Sequence, residues 1–144
     1  MKKIYTIGYQ GRTEKEFLKL LYENDIDHVV DVRSYPSSKV KEFSKDNLKE
    51  TLFHKSIMYK HLPELGGMQD GDYLKLMLSD GWNTAYIELK EIAQDGPTAM
   101  MCLEKDPSKC HRRYIADLLE LEGWEVVHIG KGGSWKKKSL KDFS

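Results

Sequence analysis

The residues whose types and spacing can do chemistry gather in two short runs, Cys102-Leu103-Glu104 and Cys110-His111-Arg112-Arg113. They hold both cysteines of the chain, with seven residues between them. A thiol beside cations or a helix N-terminus loses its proton more readily than a free cysteine, whose pKa is about 8.5. The thiolate is the form that attacks. Cys110, followed by one imidazole and two guanidiniums, therefore reads as a nucleophile or redox thiol, with Glu104 or His111 as its base. Cys102 closes the apolar run from Ala99 and reads as a structural strand residue. Arg112 has Ala116 four residues on, so helical spacing offers it no carboxylate and it reads as an anion contact. Arg113 has Asp117 there and reads as a surface ion pair. His111 has Ile115 and Leu118 at core spacing, so a packed histidine bonded to backbone is its alternative.

These side chains need a strand that delivers them and a helix that receives them. Ala99–Leu103 predicts a buried strand. Asp106-Pro107 predicts the start of a helix that carries Tyr114, Ile115, Leu118 and Leu119 and stops at Gly123. Cys110 would then stand in its first turn, among free N–H groups and the positive dipole end. Ser108 to Cys110 would bind a phosphate, sulfate or carboxylate together with Arg33 and Arg112. Arg33 ends a second strand and lies on the same side as Asp31. The two either pair or leave Arg33 to grip an anion in bidentate fashion.

Upstream, Ile4–Tyr9 predicts a strand, and Thr13-Glu14-Lys15-Glu16 fits a capping box ahead of Phe17, Leu18, Leu20 and Leu21. Ile26–Val32 predicts the next strand, which makes a right-handed parallel βαβ unit. A helix follows near Lys45–Phe53, a strand over Ile57–Leu62, a helix over Thr84–Ala93 and a last strand over Glu125–Ile129. Residues 68–83 carry no clear period. The alternation predicts one α/β domain over residues 1–144, a three-layer sandwich with a mostly parallel sheet and helices on both faces. Residues 131–144 read as a basic, loosely held tail. The strand order does not follow from the pattern.

Taken together, Ile7-Gly8, Asp31-Val32-Arg33-Ser34, Tyr59-Lys60-His61-Leu62-Pro63-Glu64-Leu65-Gly66-Gly67, Cys102-Leu103-Glu104 and Cys110-His111-Arg112-Arg113 resemble the family known as domain of unknown function 488. The resemblance implies an α/β fold and a shared pocket, and it implies no reaction. From their own position, His61 and Glu64 precede a glycine pair that could bring backbone close to a ligand, with a plain turn as the alternative, and they join the binding candidates Arg33, Asp31 and Arg112. Members often carry His and then Ser or Asn after the first glycine. Here Tyr9 and Gln10 stand there, so no imidazole is offered at position 9, and Tyr9 takes its place among the binding candidates.

The chain has 23 basic and 23 acidic residues, so no global field pulls it toward nucleic acid or an acidic substrate. No apolar run is long enough to span a membrane. Met1-Lys2-Lys3 leads into a strand rather than the core of a signal peptide, and the reading is cytoplasmic. Two cysteines in that compartment point to free thiols, metal or redox chemistry rather than a structural disulfide. Zinc on Cys102, Cys110, His111 and Glu104 is disfavoured by the long spacing, and no metal or cofactor is expected. The leading expectation is a small protein or enzyme that binds an anionic small molecule or phosphate group. Its rivals are a nucleic-acid-binding module using the basic tail and Ser38–Lys45, and a sensor in which Cys102 and Cys110 form a reversible disulfide.

Overall fold

The structure is a computed structural model, and it describes residues 2–35, 40–67, 72–104 and 111–130, with the backbone alone of 133–135. Strands β1 (Lys3–Gly8), β2 (His28–Asp31), β3 (Met58–His61), β4 (Thr98–Cys102), β5 (Glu125–Gly130) and β6 (Gly133–Trp135) form one sheet in the order β3-β2-β4-β1-β5-β6. The first five are parallel, and β6 runs antiparallel to β5. The expected three-layer α/β sandwich is therefore present. Part of the tail expected to be loose adds an edge strand to it.

Helices α1 (Glu14–Glu23) and α2 (Lys45–His54) cover one face of the sheet. Phe17, Leu20, Leu21, Leu48 and Leu52 pack there on Ile7, Val29, Ala99, Met101 and Ile129. Helices α3 (Tyr73–Leu76), α4 (Asp80–Asp95) and α5 (Arg112–Leu121) cover the other. Tyr73, Trp82, Leu89, Ile115 and Leu119 pack there on Ile4, Val30, Met100 and Val126. Strand alternation separates the two sets, since successive side chains point to opposite faces.

The strand order and the right-handed crossover rule together explain this division. The connections β1–α1–β2 and β2–α2–β3 move the chain one way along the sheet. Those from β3 through α3 and α4 to β4, and from β4 through α5 to β5, move it back, so their helices lie on the opposite face.

Local signals set the helix ends. The expected capping box is formed: the Thr13 hydroxyl accepts from Glu16 N–H and the Glu16 carboxylate accepts from Thr13 N–H. Helix α4 starts four residues before the expected Thr84, because Ser79 caps it by accepting from Trp82 N–H. Helix α3 lies in the stretch without a clear period; Asp72 caps it and Tyr73 anchors it in the core. Helix α5 is described from Arg112, and the expected start at Asp106-Pro107 lies outside the described residues. After it the chain turns at Gly123, whose φ of 93° suits a residue without a β-carbon.

Candidate functional site

The register brings the carboxyl ends of four strands level. Gly8 lies opposite Cys102, and Asp31 lies between Met101 and His61. The backbone ladder runs on past them through Tyr9 N–H to Cys102 O, Gln10 N–H to Leu103 O and Val32 N–H to Met101 O. Along the order β3-β2-β4-β1 the outgoing chains leave alternately to opposite faces. In open α/β sheets, divergence of that kind at the carboxyl edge marks where ligands commonly bind.

Asp31 is fully buried and Arg33 is 6% exposed. Arg33 donates from Nε to Asp31 Oδ1 at 2.9 Å and from Nη2 to Oδ2 at 2.7 Å, while its own backbone N–H donates to Oδ1. Tyr59 donates its hydroxyl to Asp31 Oδ2 at 2.5 Å, and Arg33 Nη1 donates to the Tyr9 hydroxyl at 3.3 Å. The Tyr9 ring stacks on Phe43 at 4.5 Å and lies under the Arg33 guanidinium. Burial works against the charge on Arg33, but its bonds to Asp31 and Tyr9 outweigh that and raise its pKa. Burial, with the Asp31 charge behind it, raises the Tyr59 phenol well above its ordinary value and keeps it a donor. Of the two readings of Arg33, the structure contains the pair with Asp31.

Two imidazoles close on the chain leaving β2. His111 Nε2 lies 3.0 Å from Val32 O and His61 Nε2 lies 2.6 Å from Arg33 O. A carbonyl only accepts, so Nε2 carries the proton in both rings. Burial lowers the pKa of His111; the bond to Val32 O opposes the shift and the Arg112 charge adds to it. His111 is thus the packed, backbone-bonded histidine that its spacing allowed. Its ring also lies where a β-carbon on Gly67 would stand, 3.2 Å from Nδ1. The Ser34 hydroxyl donates to Gly67 O at 2.8 Å. The glycine pair thus packs closely against Ser34 and the His111 ring.

The remaining candidates divide. Arg112 is fully buried at the start of α5. The Arg113 guanidinium lies 4.8 Å from the Tyr114 ring centre. Glu104 is half-buried just beyond β4, and Glu64 is exposed and faces Gly81 at the start of α4, apart from the Asp31 cluster. Cys102 is bonded in a disulfide, where the composition pointed to free thiols, metal or redox chemistry rather than a structural disulfide. The only other cysteine, Cys110, lies outside the described residues, as do Ser108 and Lys109. Among the described residues no group of three histidine, cysteine or acidic side chains is arranged to hold a metal ion.

Sequence reasoning missed two members of this site. Tyr59 reaches Asp31 only through the β2–β3 register. Arg12 is 9% exposed and donates from Nε to Gly8 O at 2.8 Å. Its one sequence signal is its position between Gly11 and the Thr13 cap.

Compared with known protein families, residues 13–119 match the domain of unknown function DUF488. The chain belongs to the DUF488 family. The match runs from the cap of α1 into α5 and takes in Asp31, Arg33, Tyr59, His61, Cys102, His111 and Arg112. No curated protein and no solved structure matches this DUF488 chain. No helix among its described residues is long and apolar enough to cross a membrane.

Proposed function

We propose that this DUF488 protein binds a small anionic ligand, a phosphate, sulfate or carboxylate group, over the carboxyl ends of β1, β2 and β4. One observation carries the reading. The bond from His111 to Val32 O ties the start of α5 to the chain between Asp31 and Arg33. That bond supports assigning the predicted cations Arg33 and Arg112 to one site although they come from distant parts of the sequence. Among the described residues the buried charged side chains are three guanidiniums, of Arg12, Arg33 and Arg112, and one carboxylate, of Asp31. Buried guanidiniums at a low-dielectric sheet edge support a reading in which negative charge is drawn there. The bonded pair of Asp31 and Arg33 serves as the rigid floor of that site. The test is a thermal-shift screen of phosphorylated, sulfated and carboxylated small molecules beside their neutral parents. Stabilisation by the anionic members alone supports the reading, and equal shifts from the neutral parents overturn it.

A second reading, a thiol-based redox protein, is favoured by the disulfide at Cys102. Exchange with a dithiol reductant passes two electrons to this disulfide, leaves two thiols here and oxidises the reductant to its own disulfide. Cys110 would then be the thiol free to attack, with Glu104 or His111 as its base. Mass spectrometry of alkylated peptides before and after reduction tests it. Alkylation of Cys110 that needs reduction but not unfolding supports this reading, and alkylation only after unfolding overturns it.

A further inference from the structure

Arg12 has no role in the pair of Asp31 and Arg33, yet it is nearly as buried as Arg33. Gly11, at a φ of 74°, turns the chain at the end of β1, and Arg12 N–H closes the turn on Tyr9 O at 3.0 Å. The side chain is thereby directed back along the strand end, where Nε donates to Gly8 O. Thr13 begins the cap of α1 immediately afterwards, so both ends of the turn are fixed. Nη2 is closed off from solvent and has no hydrogen-bond acceptor among the described residues. The carboxylate whose charge reaches this guanidinium is Glu16, which is exposed, whereas Arg33 holds a fully buried Asp31 at bonding distance.

A buried guanidinium with no close counter-charge among the described residues is destabilising for the fold. An acceptor that arrives with a ligand relieves this. Arg12 is also well placed to meet one. Gly8, which takes its Nε–H, lies opposite Cys102, and the next residue, Tyr9, takes an N–H of Arg33 through its hydroxyl. The two guanidiniums are thus fastened to neighbouring residues at the end of β1.

We propose that Arg12 is the principal grip on the ligand's oxyanion, a phosphate or sulfate group that meets Nη2, while Arg33 is a positioning residue held by Asp31. This rests on the anion reading of this sheet edge. Tethered through Nε, Arg12 presents its Nη groups as a preorganised fork, and a tetrahedral oxyanion has oxygens enough to take that fork and still meet a second cation.

The experiment is a titration of the full chain with inorganic phosphate at constant ionic strength, read by calorimetry, for the wild type, Arg12→Met and Arg12→Lys. The expected result is saturable binding by the wild type and a loss of about tenfold or more in Arg12→Met, the scale of a lost charge-assisted hydrogen bond. Arg12→Lys keeps the charge and loses the fork, so a loss of about threefold or more is expected there too, and it is read in place of Arg12→Met if that variant does not fold. Wild-type affinity in the folded variants overturns the role of Arg12 and leaves the anion site standing. Absence of phosphate binding by the wild type overturns both. A residue that merely holds Gly8 in place would change the melting temperature and leave phosphate affinity untouched.

Discussion

Asp31 and Arg33 stand two residues apart at the end of β2 and close on each other through two side-chain hydrogen bonds, Nε to Oδ1 and Nη2 to Oδ2. The guanidinium fork and the carboxylate match in this arrangement, and Tyr59 and Tyr9 bond to the outer edges of the pair. Both charges are removed from water, so each stabilises the fold chiefly by satisfying the other.

Asp31→Asn should therefore cost about 3–5 kcal/mol, because it leaves the Arg33 charge buried without its partner. The double variant with Arg33→Met should recover a substantial part of that loss. Urea denaturation of the two single variants and the double variant gives the coupling directly. Additive losses would show that the pair does not act as a unit.

His111 predicts a pH dependence. Burial lowers its pKa in the folded protein below the ordinary value of 6.5. Between the two values the unfolded chain binds more protons, so stability rises with pH there. The contribution is complete above the unfolded value, and it is lost as the pH falls below it toward the folded one. His111→Gln keeps an N–H for Val32 O and removes the titration. The wild type should thus lose more stability than His111→Gln between neutral and mildly acid pH, as read by melting temperature. Parallel profiles would refute it.

Gly66→Ala should destabilise for lack of space rather than by backbone strain. Gly66 has a φ of −75°, which any residue adopts. A β-carbon there would lie 2.2 Å from Ser34 Oγ and 2.3 Å from Ser34 N. Backbone cannot yield as a flexible side chain does, so a loss of about 1–3 kcal/mol or more is expected. Gly81→Ala, whose nearest neighbour is Glu64 Cγ at 3.9 Å, is the control and should change far less in the same denaturation assay.

Three tyrosines should resist ionisation. Burial is the first cause that raises the phenols of Tyr59, Tyr73 and Tyr86, with a nearby carboxylate adding to it for Tyr59 and Tyr86. These three should stay protonated in the native protein at the pH, near 10, where the tyrosines of the urea-unfolded chain ionise. Replacing any of the three by Phe should therefore leave the native tyrosinate absorbance near pH 10 unchanged and lower that of the unfolded chain; an equal loss in both would refute it.

How much of this was legible in the sequence depends on the range of the forces involved. The capping box at Thr13, the α2 pattern and the run at Val126 and Val127 are local, and each formed as the spacing predicts. Helix α4 was read short because Gly81 and Asn83 interrupt its first turn, although the Ser79 cap stood in plain view. The four residues of α3 are too few for a period to show. Spacing along β2 put Asp31 and Arg33 on one side but did not choose between pairing and ligand binding. Tyr59 made that choice from another strand, through a register that no local pattern encodes. Arg12 was missed for the same reason, since a lone arginine in a polar turn gives no sign that Gly11 folds it back on Gly8.

The sheet order also governs how the protein can be made. Of the strands in this sheet, β1 and β2 are made before the rest, yet they are not neighbours; β4 lies between them and pairs with both. Until residue 102 has emerged, the amino-terminal two thirds of the chain can join only β2 to β3, and the carboxylate of Asp31 waits with Arg33 beside an unfilled gap. Pairings this distant in sequence form slowly. A nascent chain halted before β4 would expose the apolar edges of β1 and β2, and a chaperone that holds such edges would be needed most over that interval.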